Sequence, residues 1–275
     1  MINVDKISFS YGSKPVLKNI SLEVRSGNIY GLLGENGVGK TTLLTLLCGL
    51  KKPQQGSIEV DGRDPFQRQP SLLAEQFYLP DEVAAVHAKA ECFALETGAM
   101  WPAYDHNKFL EILQGFEVDA QQKMDSMSAG QLKKTWIAFA LACNARYYYM
   151  DEPTNGLDIP SKSQFRKAVT KYTSEESAVI ISTHQVRDLE NVIDPIIILD
   201  KQEVLVNASL EEISSKLFFD YGNQIHSDAL YMEQIPGGCI QVLPNTTGEE
   251  SKVNLEAFFN TVHAHKDLVK PFFSK

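Results

Sequence analysis

The sequence predicts an α/β fold, and three observations carry that prediction. The apolar run "IYGLL" (29–33) ends in the glycine-rich stretch "GENGVGKTT" (34–42), which opens onto a leucine-rich segment. A buried strand, a glycine loop and a helix in succession form the start of an α/β unit. Two further short runs, "ARYYYMD" (145–151) and "AVIIST" (178–183), read as strands of the same kind. Between about 81 and 145 the strand signals vanish and the chain reads as helices.

Ile7, Phe9 and Tyr11 alternate with polar residues, as do Ile20, Leu22 and Val24, the period of half-buried strands. "GSKP" (12–15) and "RSGN" (25–28) are turns between them. "TTLLTLLCGL" (41–50) is too long and too leucine-rich for another strand, and Gly49 followed by Pro53 stops it like a helix. "GSIEVDG" (56–62) is another half-buried strand. The helical stretch from Asp81 to Ala145 is broken near "GAMWP" (98–102). A helix starting near Pro160 separates the strands at 145–151 and 178–183, and "IIILDKQEVLV" (196–206) reads as a hairpin. Beyond 206 the pattern weakens to a helix over 209–217, a hairpin around "IPGGC" and a last helix around "NLEAFFNTV". A main domain over 1–205 and a small α/β extension over 206–275 are expected.

The 275 residues suffice for a large core, and 43% apolar residues is ordinary for a globular chain. Runs such as "WIAFALAC" (136–143) fall short of the ~20 residues that cross a bilayer. The start "MINVDKISFS" has neither a basic region nor an apolar signal core. A cytoplasmic protein is expected, unless a partner carries it to a membrane. The net charge of −9 argues against a nucleic-acid partner. Lys51-Lys52 and Lys133-Lys134 read as solvated helix ends or faces. The four cysteines (Cys48, Cys92, Cys143, Cys239) form no CxxC pair and read as reduced, mostly buried thiols.

"GENGVGKT" satisfies G-x-x-x-x-G-K-[ST], a phosphate-binding loop. Successive backbone N–H groups can curl around a triphosphate only where side chains stay clear, and Gly34, Gly37 and Gly39 are expected to clear that space. The helix that follows points its positive end at the phosphates. Lys40 can reach the β- and γ-phosphates, and the Thr41 hydroxyl can ligate Mg²⁺. In "YYYMDEP" (147–153), Asp151 ends a buried strand where it can hold Mg²⁺, and the adjacent Glu152 can polarise an attacking water. In "MSAGQLKK" (127–134), Ser128 looks like a helix N-cap whose free N–H groups form another anion site.

Together with "TNGLD" (154–158) and "STH" (182–184), these motifs follow one another in an order that resembles the ATP-binding subunit of ABC transporters, from Met1 to about residue 205. The resemblance implies a P-loop NTPase with a RecA-like core, an antiparallel β-subdomain and a helical subdomain over about 81–145. It also implies head-to-tail pairing of two such domains, with ATP between them. Tyr11 would stack on adenine, and Gly34, Glu35, Asn36, Gly37, Val38, Gly39, Lys40, Thr41 and Thr42 would wrap the phosphates. Ser128, Ala129, Gly130 and Gln131 would reach the γ-phosphate held by the other subunit. Asp158 resembles the aspartate that links the two sites, and His184 the histidine that contacts the γ-phosphate and positions the water.

Three features depart from the family pattern. Ala129 stands where glycine is usual. Tyr147, Tyr148 and Tyr149 fill a strand that usually carries aliphatics, and each buried hydroxyl needs a partner. The family's Mg²⁺-contacting glutamine falls on Asp81, with Gln76 as the alternative. The resemblance implies an Mg²⁺-dependent ATPase that powers a separate membrane permease and sits through it on the inner face of the membrane. The second ATP-binding subunit would be an identical copy or a related chain. "NLEAFFNTV" is similar to a helix near the end of drug- and antibiotic-export ATPases, which points to export. The alternative is a soluble ATPase of this superfamily that serves as an assembly scaffold or interaction subunit.

Overall fold

The computed structural model describes residues 1–273. The alternating residues at the start form β1 (Ile2–Tyr11) and β2 (Lys14–Val24), followed by β3 (Asn28–Leu33) and the phosphate loop. Helix α1 (Lys40–Leu47) and β4 (Gln55–Val60) come next. β1 pairs antiparallel with β2 on one side and β4 on the other, giving a separate three-stranded sheet. After the short α2 (Pro70–Leu73) and β5 (Gln76–Leu79) come three helices, α3 (Ala90–Gly98), α4 (His106–Gly115) and α5 (Ala129–Ala142). β6 (Tyr147–Asp151), α6 (Ile159–Tyr172), β7 (Ala178–Thr183), β8 (Ile196–Asp200) and β9 (Glu203–Ala208) complete a six-stranded sheet of order β5-β6-β7-β3-β8-β9. All its pairings are parallel except β8 with β9.

Both faces of that sheet are covered, which is why its strands are continuously apolar. Residues alternate between two cores. Tyr30, Leu32, Tyr147, Tyr149 and Ile180 pack with Leu43, Leu44, Leu46 and Leu47 of α1 and with the three-stranded sheet. Tyr148, Met150, Val179 and Ile181 face the opposite way, onto α5 and α6. Each fully buried leucine contributes about 1.5–3 kcal/mol of transfer free energy, so α1 and the loop before it are anchored from both sides.

The tail holds α7 (Leu210–Lys216), β10 (Leu217–Gly222), β11 (Tyr231–Ile235), β12 (Gly238–Pro244), α8 (Leu255–Ala264) and α9 (Lys266–Phe273). Its strands form a third sheet, β10-β12-β11. Leu217, Val242, Phe258 and Val262 are buried in the same cluster as Val186, Leu189 and Ile198 of the main body. The helix expected over 209–217 ends one residue early, because Leu217 turns extended and starts β10.

The Lys133 side chain corrects the solvated reading of its pair, since Lys133 is only 4% exposed. Among the tyrosines, Tyr147 Oη accepts from the Met1 amino group at 2.7 Å. The expectation that every tyrosine hydroxyl finds a partner fails at Tyr149, whose buried hydroxyl has none. Burial pushes its pKa well up, so that phenol stays neutral.

Candidate functional site

The parallel strands end at one edge, and the phosphate loop and the carboxylates meet there. Asp151 pairs with Ser182 and Leu33 with Thr183, so Gly34, Glu152 and His184 all leave the sheet side by side. Glu152 borders a cleft of about 580 Å³ that is also lined by Tyr11, the loop from Glu35 to Thr42, Asp81, Asp151, Asp200, Lys201 and Gln202.

The glycines act differently from one another. Gly39 sits at φ +115°, a conformation that L side chains rarely adopt, and no side chain caps the helix it starts. The first N–H groups of α1 therefore face the cleft without an intrahelical acceptor. Gly34 does not clear space for phosphate as expected. A Cβ there would meet Leu199 O at 2.4 Å, so its absence lets the loop press against β8.

Lys40 is 6% exposed. Its Nζ donates to Gly34 O at 2.7 Å and Glu35 O at 3.2 Å, and lies 3.3 Å from Glu152 Oε1. On the other side, Glu152 Oε2 lies 3.0 Å from His184 Nδ1. These contacts bring charges close, yet neither Glu152 Oε1 nor His184 Nδ1 makes an aligned hydrogen bond. The buried Glu152 Oε1, on a residue that lines the cleft, thus keeps capacity for a further partner, as does His184 Nδ1 beside it. Glu152 also has φ +44°, uncommon for a residue with a side chain. Its backbone N–H donates to Ser182 Oγ at 3.0 Å and Ser182 O at 3.2 Å, which holds the unfavourable turn in place.

Thr41 Oγ1 donates to Asp151 Oδ2 at 2.6 Å, and Ser182 Oγ donates to Asp151 Oδ1. A hydroxyl and a carboxylate side by side are hard oxygen donors. They suit Mg²⁺, which keeps few protein ligands and takes phosphate oxygens and water for the rest. Among the described residues no group of three or more His, Cys, Asp or Glu is placed to hold a metal ion. Of the two alternatives for the glutamine position, Asp81 reaches the cleft. Gln76 lies at the opposite end of β5, donating to Cys48 O at 3.1 Å.

Tyr11 is 49% exposed at the cleft rim, its hydroxyl 3.3 Å from Thr42 Oγ1 and its ring under Lys51 Nζ at 5.0 Å. Ser128, Ala129, Gly130, Gln131 and Asp158 are not part of this cleft. Ser128 caps α5: its Oγ accepts from Gln131 N at 3.2 Å, while Gln131 Oε1 accepts from Ser128 N at 3.0 Å. Asp158 caps α6 by accepting from Ser161 N at 2.9 Å, and the Ser161 hydroxyl first, then this N–H, hold its carboxyl below the usual range.

Sequence reasoning missed three contributors. The signal for Ser182 lay in the register of two strand ends, since it sits opposite Asp151. Lys133 Nζ meets Asp81 Oδ1 at 3.5 Å, and nothing in "QLKK" distinguishes it from Lys134, whose Nζ instead donates to Phe116 O at 3.2 Å. His263, given no role, places Nε2 3.3 Å from Glu35 Oε1, so α8 reaches the phosphate loop.

Comparison with known proteins places this architecture. Residues 17–155 match the family model described as ABC transporter. The chain is 31% identical over 229 residues to the cobalt import ATP-binding protein CbiO of Salmonella paratyphi A, covering 78% of this chain and 82% of that one. It is 28% identical over 222 residues to the lipopolysaccharide export ATP-binding protein LptB of Haemophilus influenzae, covering 78% and 92%. The dimeric ATP-binding cassette MJ0796, solved in a post-hydrolysis state with ADP and Pi, superposes with a TM-score of 0.65 at 23% identity, covering 76% and 99%. On the family match and the relatives' identity and coverage, this chain belongs to the ATP-binding subunits of ABC transporters, a family of P-loop ATPases.

Proposed function

We propose that the cleft binds Mg–ATP and hydrolyses it, and that the subunit uses this cycle to drive a separate integral-membrane permease at the inner face of the membrane. One observation carries the reading: Lys40, Glu152, His184 and the Thr41–Asp151 pair converge around the uncapped start of α1. The loop N–H groups and Lys40 hold the phosphates, and Tyr11 stacks on adenine. Thr41 and Asp151, with Asp81 at the cleft wall, hold Mg²⁺, which neutralises charge on the phosphates. Glu152 takes a proton from water as its oxygen attacks the γ-phosphorus, and ADP departs carrying the charge of the broken bond. His184 orients Glu152 and that water.

The site is completed by a second subunit, identical or related, whose Ser128–Gln131 segment and Asp158 close over the nucleotide. The ATP-binding cassette MJ0796 is dimeric in its structure with ADP and Pi. Export is the direction we favour, on the likeness of α8 to the terminal helix of export ATPases. The relatives themselves work in both directions, CbiO in import and LptB in export. The test is Lys40→Ala. Loss of one buried phosphate-facing cation is expected to lower ATP turnover at least about a hundredfold with the unfolding temperature retained. Normal turnover by the folded variant would sink the assignment.

A further inference from the structure

Lys133 is a buried cation outside the proposed hydrolytic machinery. Its ammonium stands on the helix that starts at Ser128, yet it crosses to the segment leaving β5. Nζ donates to the backbone carbonyl of Asp81, reaches Pro80 O at 3.5 Å and lies 3.5 Å from Asp81 Oδ1. Two of its three donors are thus spent on backbone and the third on a carboxylate. Burial lowers its pKa, while the charges of Asp81, Asp151 and Glu152 act in the opposite direction. The Asp81 carboxylate is held from a second side by Asn155 Nδ2, at 3.2 and 3.4 Å from its two oxygens. Asp81 still lines the cleft with Thr41 and Asp151, and its side chain is 40% exposed.

A carboxylate in that position has two cations to choose between. We propose that Lys133 is the resident counter-cation of Asp81 and competes with Mg²⁺ for its carboxylate, so that loading of Mg–ATP moves Asp81 from Lys133 to the metal. The proposal rests on the Mg–ATP reading of the cleft. The backbone carbonyls keep the Lys133 ammonium partly satisfied when Asp81 turns away, which makes the exchange inexpensive. Its consequence is mechanical: α5, whose first residues form the Ser128 cap, is tied to the Asp81 segment in the empty site and loosened in the loaded one.

The experiment uses the full chain and a fluorescent ATP analogue, titrated first without metal and then with increasing Mg²⁺. Lys133→Met and Lys133→Arg are expected to bind the metal-free nucleotide as the wild-type chain does. Lys133→Met removes the competitor, so half-maximal response is expected at about fivefold lower Mg²⁺, the scale of a partly exposed ion pair. Lys133→Arg should stay at the wild-type midpoint. Asp81→Asn should raise the midpoint, and it should abolish the shift caused by Lys133→Met in the double variant. A purely structural role for Lys133 would weaken binding and never lower the metal requirement, so an unchanged or raised midpoint in folded Lys133→Met overturns the proposal. If that variant does not fold, an unchanged midpoint in Asp81→Asn overturns it equally. Failure of the wild-type chain to bind the nucleotide even at saturating Mg²⁺ would overturn the reading of the cleft, and this proposal with it.

Discussion

Two helix starts in this molecule carry the same kind of charge and treat it in opposite ways. α1 begins at Gly39, in a left-handed conformation with no side-chain cap, and its N–H groups open into the cleft. α5 begins at Ser128, where a reciprocal capping box closes two of the orphan groups from within. A helix start that satisfies itself is stable alone. One left open depends on a ligand for its acceptors, and here the neighbouring lysine shows that the ligand is an anion. The contrast marks the start of α1 as open within one chain, whereas the Ser128 segment is a finished structural element.

Closing the open start should have the largest effect. In Gly39→Ala, the new Cβ would stand 2.9 Å from Val16 Cγ1 in a backbone region that costs about 1–3 kcal/mol for a side chain. ATP affinity is expected to fall roughly tenfold to a hundredfold, as read by calorimetric titration. Unchanged affinity would show that the loop does not need this geometry. Opening the closed start should do less. Ser128→Ala removes one member of the capping box and is expected to destabilise the fold by about 1 kcal/mol in denaturant unfolding, with ATP binding by a single chain unchanged. Weakened binding would place Ser128 in the cleft of its own chain. Asp158→Asn should do least, because asparagine caps α6 as well as aspartate does. A stability change beyond about 0.5 kcal/mol would mean that the charge at Asp158, and not its cap, holds that helix.

The sequence showed the first of these starts more clearly than anything else in the chain. A strand, a glycine loop and Lys40 are local features, and so is the Ser128 cap. β6, β7 and β8 were legible because both of their faces are buried and their residues are largely apolar. β5 was missed: four residues at a sheet edge leave no periodicity to read. β10 was missed because "KLFFDYG" follows α7 without a breaker, and only the pairing of Leu217 with Pro244 and of Tyr221 with Ile240 makes it a strand. The same limit applied in the site. Lys133 and Lys134 are adjacent in sequence, yet one is buried against Asp81. Ser182 and His263 act through residues 31 and more than 200 positions away, Asp151 and Glu35. What depended on long-range register was invisible, and the spacing of the motifs was not.

The most direct test of the account is nucleotide turnover by Glu152→Gln. Glutamine has nearly the same shape, cannot accept the proton of the attacking water, and relieves a negative charge 3.3 Å from Lys40. The account predicts that ATP still binds, because the open start of α1 and Lys40 are untouched. Hydrolysis should fall by about 10²–10⁴-fold, the range of a lost general base. With Mg–ATP present the variant should collect as a two-copy, ATP-bound species in size exclusion, since fewer like charges meet when the halves close. A folded Glu152→Gln variant that hydrolyses ATP at the wild-type rate would contradict the account.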